Sequence, residues 1–292
     1  MSEPEVLSAI EGSDCLLNLG MPLTEFNTGM FTGALDSSKM IYLGNDSVNI
    51  QGEVIKEVYF RDILPRLVQA LPQHESTGPA KDTFEFTRTK PLNIEPEKKL
   101  TVDKAFQRFA HFIEDGDIVS GDTGGYINLT RMRLRKGNTS TGPGNWGSLG
   151  AGFPIAAGMA IASPKRRAIC LNGDGSFQMT GQELSSLVRN KTDFLLVILN
   201  NEGYPAERAI QPEKTIAGID TYNNIQPWQY DMLPEAFGGP KSMNGAEVET
   251  EGELEEALKR FQPGCGPLVI NLHLDKLDVA SFNSKMSEAM KH

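Results

Sequence analysis

The chain has 292 residues, of which 39% are hydrophobic and 23% are charged, a composition typical of a globular protein and not of a disordered or membrane-embedded one. Its formal net charge of −10 argues against nucleic-acid binding, because proteins that bind nucleic acids usually carry a basic patch. The cysteines, three in all, form no CxxC pair, which excludes the common kind of structural zinc site. Few cysteines and no signal peptide predict a cytoplasmic protein.

Residues 1–75 predict part of a Rossmann-like domain. A short amphipathic helix over 5–12 precedes two apolar strands, over 15–20 and 40–44, and a helix over 60–71 has hydrophobic residues at helical spacing. Two strands form only half of such a sheet and leave an edge bare, which makes a poor independent unit. This segment is therefore expected either to pack on the rest of the chain or to be completed by another chain.

Residues 76–100 are polar and rich in proline and lysine, with little periodicity. This composition predicts an interdomain linker.

Residues 101–292 alternate between helical patterns and short apolar strands. The clearest strands cover 117–122, 167–173, 194–201 and 267–274. Fully apolar strands that alternate with helices indicate a parallel sheet with helices on both faces, an α/β fold. In such sheets, ligands bind at the carboxyl ends of the strands.

A GDGS motif follows the strand over 167–173. Gly173 and Gly175 would let backbone N–H groups approach an anion closely, Asp174 is an oxygen ligand suited to Mg²⁺, and Ser176 can donate to a diphosphate oxygen. By itself the motif is weak evidence, since a strand–helix turn with a serine cap has the same sequence.

A second polar motif, NNEGY, ends the next strand. Asn201 follows Asp174 by 27 residues, enough for a helix and a strand that return the chain to the same sheet edge. Its amide oxygen and the Gly203 carbonyl would add neutral ligands, and oxygens of a diphosphate and of water would complete the octahedral set that Mg²⁺ prefers. The alternative is an ordinary Asn-Gly-type turn.

This pairing of GDG with NN resembles the signature of thiamine diphosphate (TPP)-dependent enzymes, and the flanking segments resemble the pyruvate and indolepyruvate decarboxylase family. The similar segments are VILNNEGYPAERAI (197–210), TYNNIQPWQYDMLPEAFG (221–238), NWGSLGAGFPIAAGMA (145–160) and LNLGMPLTEFNTGMF (17–31). The last resembles the end of the family's middle domain. The resemblance implies a partial middle domain over 1–75 and a TPP diphosphate-binding domain over 101–292.

The resemblance also implies roles for single residues. Asp174, Asn201 and Gly203 would hold Mg²⁺, and Glu207 would serve proton transfer after CO₂ is lost. Leu149 would prop the cofactor in a bent shape, and the Gly147 carbonyl would accept from its pyrimidine amino group. The residues expected to contact the cofactor are Asp122, Thr123, Gly124, Gly147, Ser148, Leu149, Gly173, Gly175, Ser176 and Tyr204.

Two positions depart from the family pattern. Gly125 stands where relatives carry a hydroxyl or acidic side chain, so that contact is either lost or made by the backbone. Ala206 is smaller than the usual branched residue, which would enlarge the substrate pocket unless Pro205 beside it moves the backbone instead. For Glu207 an alternative stays open, namely a solvated helix glutamate paired with Arg208 or Lys214.

The family's pyrimidine-binding domain, with its ylide-forming glutamate and its histidine pair, has no counterpart in this sequence. In the family the two cofactor-binding domains come from different subunits, so the resemblance implies an oligomer and a partner chain that supplies the missing domain. The expected function is TPP- and Mg²⁺-dependent, non-oxidative decarboxylation of a small 2-oxo acid to an aldehyde, as half of a split enzyme without nucleic-acid or membrane partners.

Other functions stay open beside this one: an acyloin-forming carboligase subunit, or a truncated or regulatory relative without activity. A nicotinamide-binding Rossmann protein is disfavoured, because no GxGxxG follows a first strand. Pyruvate, indolepyruvate, phenylpyruvate and branched-chain oxo acids all remain candidate substrates.

Overall fold

A computed structural model of the chain describes residues 4–25, 27–29, 31–71, 91–129, 132, 134–241 and 245–279. The described residues up to 71 belong to one compact unit, and those from 91 onward belong to a second. In the described part of the chain, no helix combines the length and the apolar character needed to cross a membrane.

The first unit is a small sheet with a helix at each end of its sequence. Its elements are α1 (Pro4–Glu11), β1 (Leu16–Leu19), β2 (Met40–Leu43), β3 (Ser47–Ile50), β4 (Glu53–Lys56) and α2 (Phe60–Ala70). The strand order is β1-β2-β3-β4, with β1 parallel to β2 and the later pairs antiparallel.

The expectation of two strands in this unit was wrong, because β3 and β4 extend the sheet as a hairpin. Its turn is formed by Gln51 and Gly52, whose φ angles are 53° and 92°. Both strands have only four residues and lack an apolar run, so neither stands out in the sequence. Among the described residues of this unit, Leu43 and Val48 are the only buried hydrophobic side chains.

The second unit contains a six-stranded sheet in the order β6-β5-β7-β8-β10-β9, with every neighbouring pair parallel. Its strands are β5 (Ile118–Gly121), β6 (Thr139–Thr141), β7 (Ala168–Gly173), β8 (Phe194–Asn200), β9 (Ala246–Val248) and β10 (Pro267–His273). Its helices are α3 (Val102–Phe112), α4 (Thr123–Leu129), α5 (Gly152–Ala162), α6 (Asp174–Thr180), α7 (Leu184–Asn190), α8 (Pro205–Ile210), α9 (Pro212–Ile216), α10 (Leu233–Ala236) and α11 (Glu251–Lys259).

Successive residues of each central strand face opposite sides of this sheet. In β7, Ile169 and Leu171 join a core cluster with α3 and α11, whereas Ala168 and Cys170 join a separate cluster with α5, α6 and α7. Because both faces carry packed helices, the central strands β7, β8 and β10 are apolar over most of their length. The prediction of a parallel sheet covered on both faces is confirmed.

Several elements differ from expectation. The sequence over 176–190 predicts one continuous helix, but a 3₁₀ turn, Gly181–Glu183, interrupts it where Gly181 lies against the Phe177 ring. The edge strands β6 and β9, with three residues each, were not predicted. The sequence over 275–292 predicts a helix, and this segment lies mostly outside the described residues.

The described end of the predicted linker, residues 91–100, is itself part of the second unit. The Leu100 N–H donates to the Glu249 carbonyl, and the Glu95 N–H donates to the Glu251 carboxylate, both at 2.9 Å. The domain boundaries at 75 and 100 stay predictions.

Candidate cofactor site

The two polar motifs meet at the carboxyl edge of the six-stranded sheet. Strands β7 and β8 are parallel neighbours in a register that pairs Gly173 with Leu199. Asp174 therefore leaves the sheet beside the end of β8, where Asn201 follows. Parallel strands that end together bring both motifs to one edge, which is where α/β folds bind ligands.

The carboxyl group of Asp174 is fully buried. One oxygen accepts from the Gly175 N–H at 2.7 Å, and the other accepts from the Gly203 N–H at 3.1 Å. Burial raises the pKa of Asp174 to about 6, and the surrounding backbone N–H groups and the Arg208 charge oppose this rise. The second motif is thus bonded directly to the first through Gly203.

The side-chain oxygen of Asn201 is buried and has no hydrogen-bond partner in the described structure. Leaving a buried acceptor unpaired costs about 1–3 kcal/mol, so in native proteins such an oxygen usually has a partner from the protein, from water or from a ligand. Gly203, two residues after Asn201, has a φ angle of 143°. A Cβ atom at this position would lie 1.8 Å from the Asn223 carbonyl oxygen. Only glycine fits this close approach.

The GDGS turn is covered by an aromatic ring. A Cβ on Gly175 would lie 2.6 Å from Cε1 of Tyr204, so the glycine allows the ring to pack on the backbone. Ser176 is buried within the first turn of α6. Gly173, Gly175, Ser176 and Tyr204, all predicted to contact the cofactor, therefore lie around Asp174.

The other predicted cofactor residues follow β5 and precede α5. Asp122 is fully buried, and its carboxylate accepts from the N–H groups of Thr123 at 2.9 Å and Gly152 at 2.8 Å. The Thr123 hydroxyl donates to the Gly147 carbonyl at 2.9 Å. Asp122 and Thr123 thereby connect the end of β5 to the segment that carries Gly147.

Three other predicted contact residues of this region are exposed: Gly124, Ser148 and Leu149. The Trp146 side chain beside them is 91% exposed, an unusual state for the largest apolar residue type.

Glu207 lies on α8 with its side chain exposed. Its neighbour Arg208 is buried and bonded to backbone carbonyls, which rules out the alternative in which Arg208 pairs with Glu207. In the part of the chain that is described, no ion pair includes Glu207, and Lys214 is not bonded to it. The carboxylate is therefore accessible to a ligand.

The domain model for "Thiamine pyrophosphate enzyme, C-terminal TPP binding domain" matches residues 121–272, from the end of β5 to β10. The chain belongs to this family. It is 32% identical to an alpha-keto-acid decarboxylase of Mycolicibacterium paratuberculosis and 30% identical to a pyruvate decarboxylase of Candida albicans. Each match covers 88% of this chain and 45% of the relative, so the chain spans about half the length of the curated relatives it matches.

This TPP-binding domain has a donor set suited to a divalent cation with a diphosphate. Asp174 supplies one carboxylate and Asn201 an unpaired amide oxygen, both neighbours of the Gly203 backbone. No group of three or more His, Cys, Asp or Glu side chains in the described chain could hold a metal ion alone. A cation at the strand ends would thus need further oxygen ligands, and Mg²⁺ commonly takes these from water and from the phosphates of a substrate.

Sequence reasoning missed the residues that hold this site of the TPP-binding domain in place. Arg208 contacts the Asn201, Glu202 and Asn223 carbonyls, and Asp220 lies 3.6 Å from its guanidinium. An arginine next to a glutamate in a six-residue helix predicts a surface residue, and no local signal marks it as buried.

Proposed function

We propose that this chain is the diphosphate-binding half of a TPP- and Mg²⁺-dependent enzyme that decarboxylates a 2-oxo acid to an aldehyde without oxidation. The observation that carries this proposal is the pairing of a buried carboxylate, Asp174, with the unpaired buried oxygen of Asn201 at adjoining strand ends. Both lie inside the stretch that matches the TPP-binding family.

In this proposal Asp174, Asn201 and the Gly203 carbonyl hold Mg²⁺, and the cation holds the diphosphate beside Gly173, Gly175 and Ser176. Ser176 donates to a diphosphate oxygen, and the Tyr204 ring keeps the turn covered. TPP, when bound, supplies the electron sink that the loss of CO₂ requires.

The Thr123 hydroxyl holds the Gly147 carbonyl in place, and in this proposal that carbonyl would accept from the cofactor's pyrimidine amino group while Leu149 would support the cofactor. Asp122 keeps this segment attached to the sheet through its bonds to Thr123 and Gly152. Gly124 and Ser148 complete this side of the proposed site.

Glu207 would serve proton transfer after CO₂ is lost. Its exposure supports this role, because a carboxyl group held in an ion pair would be protonated less readily and would be a poorer proton donor. The names of the relatives, an alpha-keto-acid decarboxylase and a pyruvate decarboxylase, support a 2-oxo acid as substrate.

A partner chain with the pyrimidine-binding domain completes the enzyme, which is cytoplasmic and oligomeric. This part of the proposal is supported by the length of the relatives, about twice that of the matched region. We further propose that residues 1–75 are the end of a middle domain, joined by a linker at 76–100 to the diphosphate-binding domain at 101–292. The few buried side chains of the first unit, Leu43 and Val48 among its hydrophobic residues, are consistent with an incomplete domain.

The test removes the proposed metal ligand. Asp174→Ala should lower the affinity for TPP in the presence of Mg²⁺ by at least ~100-fold, since even residues around metal ligands typically contribute 10- to 100-fold. Isothermal titration calorimetry on the full chain measures this. The matched control is Asp193→Ala, because Asp193 also accepts from two backbone N–H groups, of Gly264 and Gly266, but precedes β8 at the opposite edge of the sheet.

The Asp193→Ala protein should unfold at lower temperature and still bind TPP. Mg²⁺-dependent binding by Asp174→Ala with the affinity of the unmutated chain would contradict the proposed site.

A second function is favoured by one observation. Ala206 lies beside Glu207 with an exposed, small side chain, which leaves room for a second carbonyl compound. In that case the product is a hydroxyketone and the chain is part of a carboligase. Chromatography of the products formed with the partner chain distinguishes a free aldehyde from a hydroxyketone.

A further inference from the structure

The side chain of Arg208 is 0% exposed and is the largest of the fully buried side chains in the described structure. A charged group so placed needs partners for its donors. Its Nη1 donates to the Asn201 carbonyl at 2.7 Å, and its Nη2 donates to the Glu202 carbonyl at 2.7 Å. The guanidinium thus binds two consecutive carbonyls of the segment that carries Asn201 and Gly203.

The same guanidinium group also binds a second segment. Nη2 donates to the Asn223 carbonyl at 3.1 Å and to the Asn224 side-chain oxygen at 2.8 Å. Asp220 lies 3.6 Å from Nε and supplies the opposite charge. Arg208 therefore joins two stretches of chain, the 201–203 loop (Asn201–Gly203) and the segment over 220–224.

The 201–203 loop has a conformation that its own residues do not favour. Glu202 has φ 57° and Gly203 has φ 143°. A residue other than glycine in the left-handed region costs roughly 1–2 kcal/mol, so such a conformation persists only when its surroundings hold it. The two bonds from Arg208 to this backbone contribute to that restraint, and the Ile225 N–H, which donates to the Glu202 carbonyl at 3.4 Å, adds to it.

One peptide group links Arg208 to Asp174. In a trans peptide the C=O and the following N–H point in opposite directions. The Glu202 carbonyl points to Arg208, so the Gly203 N–H points away from it, and that N–H donates to the Asp174 carboxylate at 3.1 Å. A shift of the guanidinium would therefore rotate the peptide that bonds to Asp174.

We propose that Arg208 is a positioning residue for the cation and diphosphate: it orients the Asn201–Gly203 backbone so that the Asn201 side-chain oxygen and the Gly203 carbonyl are directed at the same point as the Asp174 carboxylate. This inference rests on the proposed function of the site and adds to it a residue that touches neither the cation nor the cofactor.

The geometry requires arginine and not merely a positive charge. Its planar fork presents donors in fixed directions, whereas lysine has a single ammonium group that cannot reach all of these acceptors. The expected result for Arg208→Lys is a loss of affinity for Mn²⁺ of about 10- to 100-fold at a fixed TPP concentration, the range typical of residues that orient metal ligands.

The experiment titrates Mn²⁺ into the full chain with TPP present and follows tryptophan fluorescence, while a thermal scan without ligands monitors folding. The matched control is Arg166→Lys. Arg166 likewise binds several groups, including the Gly116 carbonyl at 2.6 Å and the Gly137 carbonyl at 3.0 Å, but it precedes β7 at the far edge of the sheet.

Arg166→Lys should lower the thermal midpoint without changing the Mn²⁺ affinity. A second variant, Asn224→Ala, removes one acceptor of the guanidinium and keeps the arginine, so it should weaken Mn²⁺ binding by a smaller factor and tests the inference even where Arg208→Lys fails to fold.

Mn²⁺ affinities of Arg208→Lys and Asn224→Ala equal to that of the unmutated chain would overturn the positioning role and leave the proposed function intact. A lack of Mn²⁺-dependent TPP binding by the unmutated chain itself would overturn both.

Discussion

At the scale of residues, the site at the strand ends is marked by two buried polar side chains and not by exposed charges. The Asp174 carboxyl group and the Asn201 amide oxygen are both buried, one with a raised pKa and one without a hydrogen-bond partner. In the protein without a ligand, the burial of each of these two groups lowers the free energy of unfolding. A cation bound to both would offset these costs, because it would interact with the ionised carboxylate and with the unpaired oxygen.

The pKa of Asp174 predicts how stability changes with pH. The folded value of about 6 exceeds the ordinary value of 3.8, so between these values the folded protein holds a proton that the unfolded chain releases. Stability from this group is therefore greatest at low pH and is lost as the pH rises through 6. Relative to Asp174→Asn, which cannot titrate, the unmutated chain should lose about 1 kcal/mol of unfolding free energy between pH 5 and pH 8.

Urea unfolding of both proteins without ligands measures this difference. A difference that stays constant, or that changes in the opposite direction, would show that the carboxyl group is not buried in this way. If Asp174 holds Mg²⁺ as proposed, the affinity for Mg²⁺ should rise with pH over the same range, because a cation would bind the carboxylate form.

At the scale of elements, close contacts between helices and strand ends shape the site. Gly125 in α4 lies so near β7 that a Cβ there would be 1.9 Å from the Leu171 carbonyl oxygen. A hydroxyl or acidic side chain, which the resemblance implies for relatives at this position, would therefore not fit in this chain. The helix approaches the strand more closely than any side chain would allow.

This contact predicts opposite effects of the same substitution at neighbouring positions. Gly125→Ala should destabilise the protein by about 1–3 kcal/mol, because α4 must move away from β7. Gly124→Ala, one residue earlier in the same helix, has nothing within 4 Å of the new Cβ and should be neutral or slightly stabilising. Thermal unfolding of both variants tests this, and equal midpoints would contradict the close packing.

The helices and strands that were predicted correctly are those with long or fully apolar patterns. Strands β7, β8 and β10 are buried along nearly their whole length, and each begins with a run of at least four apolar residues. The elements that were missed are short or half exposed, such as β4, whose four residues are all exposed. Such segments become strands only because a neighbouring strand pairs with them.

At the scale of the whole molecule, the two units differ in how much they bury. The second unit has two extensive core clusters, one on each face of its sheet. The first exposes apolar side chains on its strands and helices, among them Leu17, Leu19, Val54 and Val68. A sheet of four short strands with so small a core is marginally stable by itself.

Hydrogen exchange should therefore be uneven along the chain. Amides of β1 to β4 should exchange faster than those of β7, β8 and β10, because local opening costs less where few side chains are buried.

Native mass spectrometry of the protein isolated from its source should detect a complex with a second, different chain, and binding of that chain should slow exchange in the first unit. Homo-oligomers alone, or unchanged exchange, would argue against the split enzyme.

Local patterns in the sequence were enough to predict the parallel sheet and the meeting of Asp174 with Asn201, because buried strands have apolar runs and parallel strands end at one edge. The burial of Arg208, the unpaired oxygen of Asn201 and the fit of Gly125 against Leu171 were decided only by the folded chain. Each depends on which distant segments come within a few ångströms, and residues far apart in sequence carry no local mark of that proximity.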